Sequence, residues 1–295
     1  MGLTVEELAG CPRLMSGLKL LAGQLQERFD DNPRLARYMA SHQRWLLSQV
    51  AFALYLKQQT EPGHPGLTTG SLKAIILPEK IASRNTVLTF LDQLLAYRFV
   101  HVTGDPTRRP RRFEATMVCY EAMFGWFMLN LAALDMADEG QRVARLQAQP
   151  EIFKLAQPIF CDAAIADEGW RHPPERVAMF LWTEAGGLVM DDLVCQVDMR
   201  GDGEWLPLGR LDARSMSSHF MMSRTHLQRL LRKAVDAGSL KWLDERRTSV
   251  LISRSYLNEY CGWQARKAAM IDAAFETAIR MLEVEEVTFR QASSA

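Results

Sequence analysis

Two short stretches of the 295-residue chain place hydrogen-bonding side chains directly after a serine that can start a helix. In the first, Ser83 precedes Arg84, Asn85 and Thr86, with Thr89 one turn on. In the second, Ser223 precedes Arg224, Thr225 and His226, with Gln228, Arg229 and Arg232 further along. A serine in that position caps the free amides of a first helical turn, so the residues after it project from a helix end. An arginine there can donate two parallel bonds to a guanine edge, and asparagine or glutamine can engage adenine in the same way. Each stretch is followed by a cationic loop. Arg108, Arg109, Arg111 and Arg112 lie between Gly104 and Phe113, and Arg246 and Arg247 lie within residues 244–248. Clustered guanidinium groups suit phosphate oxygens and displace condensed counterions. For any one of these side chains a solvated surface is the ordinary alternative; the case rests on their grouping.

The charge is distributed accordingly. Lys and Arg total 35 and Asp and Glu total 35, a formal net charge of zero. Residues 66–120 nevertheless hold eight basic and four acidic side chains, and residues 206–255 hold ten and four. Two cationic segments set in an otherwise acidic chain say more about partners than the neutral total does.

The elements that must position these residues are mainly helical. Asn32-Pro33 opens a long helix running to about Gln59, and the Pro- and Gly-rich residues 61–66 stop it. A short helix is expected over 69–76 and ends at Pro78. After Ser83, Val87, Phe90, Leu91, Leu94 and Leu95 recur at three- and four-residue spacing, making one apolar face. Residues 99–103 alternate like a strand, and 113–118 return after the basic loop. The order is three helices, strand, basic loop, strand. It recurs 140 residues later: Ser223 to Leu227 align with Ser83 to Val87, and Leu240 and Trp242 with Val100 and Val102. The segment 208–223 is expected to match 68–83 in length. Beyond a second loop three residues shorter, Phe124-Gly125-Trp126 and Cys261-Gly262-Trp263 recur at an offset of 137. An internal duplication accounts for this pattern. A helical connector fills about 119–187, and a terminal helix spans about 255–287. The expected domains are 1–134, 135–187 and 188–295.

A short helix, a tight turn and a second helix with a polar, basic outer face, followed by a basic hairpin, resembles the winged helix-turn-helix regulators of the MarR-like kind. The resemblance covers 66–118 and 206–252. It implies a mainly α fold with short β-hairpins, two winged units joined by the helical connector in a pseudo-two-fold arrangement, and double-stranded DNA as the partner. It also implies that the helices after Ser83 and Ser223 enter the major groove, their first-turn residues meeting base edges. Arg229 and Arg232, further along, would meet phosphates. Those regulators commonly carry one such unit per subunit of a dimer. Here one chain holds both, as a monomer with pseudo-dimer symmetry or as a homodimer, and the halves are free to differ. Two alternatives stand beside a transcription regulator: a plasmid-type replication initiator, which is usually more basic, and a winged-helix subunit of a protein assembly.

Other chemistry finds little support. The sequence lacks GxxxxGK[ST], GxSxG and HExxH, so neither an enzyme nor a cofactor is expected. Residues 198–204 have the flavour of a calcium loop, but Arg200 and missing ligands favour a solvated turn. The five cysteines lack metal-ligand spacing and read as reduced thiols. With no signal-like start and no uncharged apolar run of 18 residues, the expectation is a cytoplasmic chain without a membrane span. Trp126, Trp170 and Trp182 fit ordinary core packing better than an effector pocket, which leaves a small-molecule effector as an open partner.

Overall fold

Capping side chains set where many of the helices begin. In the computed structural model, which describes residues 2–31, 33, 40–104 and 110–293, α1 (Val5–Ala9) starts at Thr4. The Thr4 hydroxyl accepts from the Glu7 amide while the Glu7 carboxylate takes the Thr4 amide. Next come α2 (Leu14–Asp31) and α3 (His42–Thr60), then β1 (Leu67–Thr68), α4 (Thr69–Ile76), α5 (Arg84–Ala96), β2 (Val100–Thr103) and β3 (Arg112–Ala115). A helical run follows: α6 (Met117–Asp138), α7 (Arg142–Ala148), α8 (Glu151–Ala166), α9 (Glu168–Arg171), α10 (Glu175–Leu181) and α11 (Gly186–Gln196). The earlier order then returns as β4 (Trp205–Arg210), α12 (Ala213–His219), α13 (Arg224–Asp236), β5 (Leu240–Trp242), β6 (Ser249–Ser253) and α14 (Arg254–Ser293). The chain is thus mainly helical, with two small antiparallel sheets of three strands each. Their orders are β1-β3-β2 and β4-β6-β5, the third strand central in both.

From the two serines onward, the units correspond down to single hydrogen bonds. Ser83 Oγ accepts from the Thr86 amide, and Ser223 Oγ from the His226 amide. The Phe99 amide donates to the Leu94 carbonyl as the Ser239 amide does to Ala234; the Thr116 amide donates to Phe99 as Ser253 does to Ser239. Arg98 and Gly238 take the same left-handed turn, with φ of 58° and 69°.

Upstream of the serines the expected equal spacing fails. Thr68 caps α4 and Asp212 caps α12, so 15 residues separate the two caps of the first unit and 11 those of the second. The closing turn is shared, the Lys80 and Ile81 amides on Leu77 and Ile76 matching the Met221 and Met222 amides on Ser218 and Ser217; in the first unit it falls three residues further from the helix cap and one residue further from the serine. The long helix expected from Asn32 is also corrected. Asn32 lies outside the described residues, and α3 begins at His42 with Ser41 as its cap, Oγ accepting from the Arg44 amide at 3.3 Å.

The helices pack as one body. α14 runs along α8, α3 crosses α8, and α2 lies against both α6 and α11. Gly17 permits the close approach of α2 to α6: a Cβ there would stand 2.4 Å from the Ala133 carbonyl oxygen. α6 is long and apolar enough to cross a bilayer by length and composition. It carries Glu121, Asp135 and Asp138, and it buries Phe127, Asn130, Leu131 and Leu134.

At the centre of this body His42 is surrounded by indoles. It stacks on Trp45 and meets Trp170 and Trp263 edge-on. Its Nε2 donates to the Trp170 carbonyl at 3.0 Å, which also accepts from Trp263 Nε1 at 3.2 Å. Burial holds the imidazole neutral, pulling its pKa from 6.5 down to about 4. All five cysteines are unpaired.

Two measurements check this packing. Gly17→Ala should lose about 1–3 kcal/mol in urea unfolding, since backbone rather than a flexible side chain blocks the new methyl. Acid should also destabilise the fold through His42. The unfolded imidazole binds a proton below about 6.5 and the folded one only near 4, so stability falls as pH drops through that window. The loss is on the order of 3 kcal/mol, and His42→Phe should flatten that part of the stability profile.

Candidate nucleic-acid interface

α13 is built to show one face. Leu227, Leu230, Leu231 and Ala234 are buried beneath it, leaving Arg224, Thr225, Gln228, Arg229, Arg232 and Lys233 exposed on the outside. His226 behaves differently. It is half-buried, its Nε2 is enclosed without a partner, and its Nδ1 accepts from Arg229 at 3.2 Å. The imidazole therefore holds the Arg229 guanidinium beside the first turn.

Beside α13 lies a groove of about 740 Å³, bounded by the end of β4, the start of α12 and the β5–β6 hairpin. Arg210, Arg214, Arg232, Arg246 and Arg247 line it, with Gln228, while Leu231 and Trp242 supply apolar wall. Asp212 and Asp236 are its acidic members. The Asp212 carboxylate is already engaged, accepting from the Arg214 and Ser215 amides as the cap of α12.

The hairpin tip that carries Arg246 and Arg247 is closed by one side chain. Asp244 accepts from the Thr248 amide at 3.1 Å, the Thr248 hydroxyl at 3.2 Å and the Ser249 amide at 2.6 Å. The Thr248 amide first, and then these other donors, hold the carboxyl below its ordinary range. Arg247 takes a left-handed backbone, φ 56°, to complete the turn.

The first unit presents a different face. α5 buries Val87, Phe90, Leu91 and Leu94 and exposes Arg84, Asn85, Leu88, Thr89 and Asp92. Thr86 is half-buried, its hydroxyl 2.9 Å from that of Ser83, so it belongs to the cap. Arg111 and Arg112 are exposed where the hairpin loop enters β3. Arg108 and Arg109 lie outside the described residues. α5 carries one arginine and one aspartate, whereas α13 carries three arginines and a lysine against one aspartate.

The arginines divide into two populations. Arg13, Arg142, Arg145, Arg171, Arg176, Arg200, Arg266 and Arg280 are all ion-paired. Asp198, which headed the supposed calcium loop, is one of these partners, held down to about 2 by Arg200. Among the described residues, Arg210, Arg214, Arg232, Arg246 and Arg247 in the groove and Arg84 and Arg224 on the helix starts have no acidic partner and are exposed; Arg229 on α13 and Arg28, Arg98, Arg112 and Arg254 outside the groove also lack one. Unpaired guanidinium groups gathered on one groove keep their donors available for an anion.

Reasoning from sequence missed Arg210 and Arg214. Matching 208–223 to 68–83 started the first helix of the second unit too early and left Arg214 off the groove. The cap at Asp212, a stronger helix start than its surroundings, was the available signal.

Comparison of the chain with protein-family models, curated proteins and solved structures returns no match.

Asp244→Ala tests whether the tip is held as described. Amide exchange at Thr248 and Ser249 should quicken by about tenfold, the loss expected for one or two such bonds, while the Ile252 amide keeps its protection. Unchanged exchange at Ser249 would show that the tip does not depend on Asp244.

Proposed function

We propose that the protein is a sequence-specific double-stranded DNA-binding transcription regulator, in which two winged helix-turn-helix units act as an intramolecular pseudo-dimer. The observation that carries this reading is the row of exposed arginines without acidic partners gathered along α13, its groove and its hairpin, while eight arginines elsewhere are ion-paired. The repeated order of strand, two helices and hairpin supports it, because a capped second helix beside a basic loop suits a major groove flanked by phosphates. On this reading Arg224 and Gln228 read base edges, Arg232 and Lys233 meet phosphates, and Arg246 and Arg247 reach the neighbouring backbone. Arg84, Asn85 and Thr89 do the corresponding work in the first unit, about one duplex turn, roughly 34 Å, away.

The outer face of α5 favours a second reading for the first unit alone. Leu88 and Asp92 share that face with Arg84, and a carboxylate and an exposed leucine suit a protein surface better than a phosphate backbone.

Selection of bound fragments from random DNA, for the wild type and two variants, tests both readings. Arg224→Ala should relax preference at one half-site, at a cost of about 1–3 kcal/mol if its contact is bidentate. Arg84→Ala should do the same at the other half-site, nearly additively. Equal weakening on all sequences would make these arginines phosphate clamps. An effect of Arg224→Ala with none of Arg84→Ala would give α5 to a protein partner, and no binding by the wild type would overturn the proposal. Replacing Arg246 and Arg247 together by Ala should reduce the slope of log affinity against log salt by about 2, close to one for each phosphate that is no longer neutralised.

A further inference from the structure

The tryptophans of the helical body surround a chamber of about 270 Å³ that shares no lining residue with the groove described above. An apolar cavity of about 150 Å³ is enough to admit benzene, so this one has room for a two-ring system with a substituent. Trp45, Trp126, Trp170 and Trp263 give it aromatic walls. Trp170 and Trp263 stack at 4.1 Å and 10°, and Trp45 stands edge-on to Trp170 at 5.3 Å. Trp126 and Trp263 are the repeated tryptophans, one from α6 and one from α14. Trp182, by contrast, is 52% exposed, and its ring meets that of His42 edge-on.

Three polar residues in this wall carry groups with no hydrogen-bond partner among the described residues. Lys267, 6% exposed, has no hydrogen-bond or ion-pair partner among the described residues; its Nζ lies over the Trp126 and Trp170 rings at 5.9 and 6.0 Å. Gln264 Oε1 and Trp170 Nε1 are enclosed without partners among the described residues. A buried ammonium with two aromatic rings beside it and Asp191 acting on it only from beyond ion-pair distance is poorly compensated, as is an enclosed amide oxygen or indole N–H. Such groups gathered on one cavity point to a ligand that supplies what the protein does not.

The charges choose the sign of that ligand. Arg28 at the rim and Lys267 within are cationic, and among the described residues Asp191 is the only carboxylate in the lining. Burial pushes Asp191 up to about 7, so much of it is neutral near neutral pH, whereas Lys267, pulled down to about 8, stays mostly protonated. A cation entering here would meet an ammonium and an incompletely ionised acid. An anion would meet one unpaired ammonium.

We propose that the chamber is a binding site for a compact planar aromatic anion, its ring lying among the tryptophans and its carboxylate or equivalent group paired with Lys267. This holds independently of whether the protein binds DNA.

Calorimetric titration of the full chain, without DNA, tests it with three probes of one shape: 2-naphthoate, 2-naphthamide and 2-naphthylmethylammonium. Naphthoate should bind at least tenfold more tightly than the amide, and the ammonium most weakly. In Lys267→Met, which keeps the length of the side chain and removes the charge, naphthoate should fall to the level of the amide. Tightest binding by the ammonium would assign the cage to a cation recognised through Asp191 and overturn the proposal. So would equal affinity for all three, no binding of any, or naphthoate affinity unchanged in a folded Lys267→Met. Should that variant fail to fold, the ranking of the three probes on the wild type decides alone.

Discussion

A sheet of three strands, each two to six residues long, cannot bury a core of its own, and the rest of the architecture answers that constraint. Each sheet leans on a long helix that begins as its central strand ends. Thr116 and Ser253 make the junctions alike: each side-chain oxygen accepts, at 3.4 Å, from the amide three residues on. α6 and α14 therefore leave the two sheets in the same local geometry and carry them into one helical body. Because the apolar faces of α5 and α13 are taken up against their own sheets and supporting helices, their polar faces have nowhere to go but outward. The exposure of Arg84 and Arg224 follows from where the leucines must be.

Much of this was legible in the residues. The caps Ser83 and Ser223, the apolar spacing behind them, and the strand–loop–strand that follows each are local signals, and each local choice agrees with the packing. The first strand of each sheet was not legible. Leu67-Thr68 is too short to show alternation, and in β4 the register shifts between Pro207 and Gly209, which hides the period of two. The long helix read through residue 59 failed at its start because apolar spacing continues across Ala40-Ser41, where the chain caps α3. Of the candidate site, the individual arginines were legible but the groove was not. Arg210 comes from a strand, Arg214 from a helix start and Arg246 from a hairpin, and only tertiary packing brings them together.

The two units share a plan while differing in electrostatics. α13 and its groove concentrate cations, and Asp244 fixes the short hairpin that carries two of them. α5 is balanced by Asp92 and has an exposed leucine on its outer face. The second unit therefore presents the larger local excess of positive charge of the pair. The helical body meanwhile neutralises its own charges. Asp272, 1% exposed, accepts from the Leu3 amide and from Arg142, which also binds Asp135 and Asp138, tying the first residues, α6, α7 and α14 at one point.

The placing of Trp126 and Trp263 constrains how the two halves can drift apart. A tandem copy is ordinarily released to change wherever its twin keeps working, and most aligned positions in this chain do differ. The repeated Gly-Trp pairs, Gly125-Trp126 and Gly262-Trp263, are among the few that do not. Both indoles form walls of one enclosure, so neither is a spare for the other. At those positions redundancy is lost, and a substitution in either half alters surroundings that belong to both.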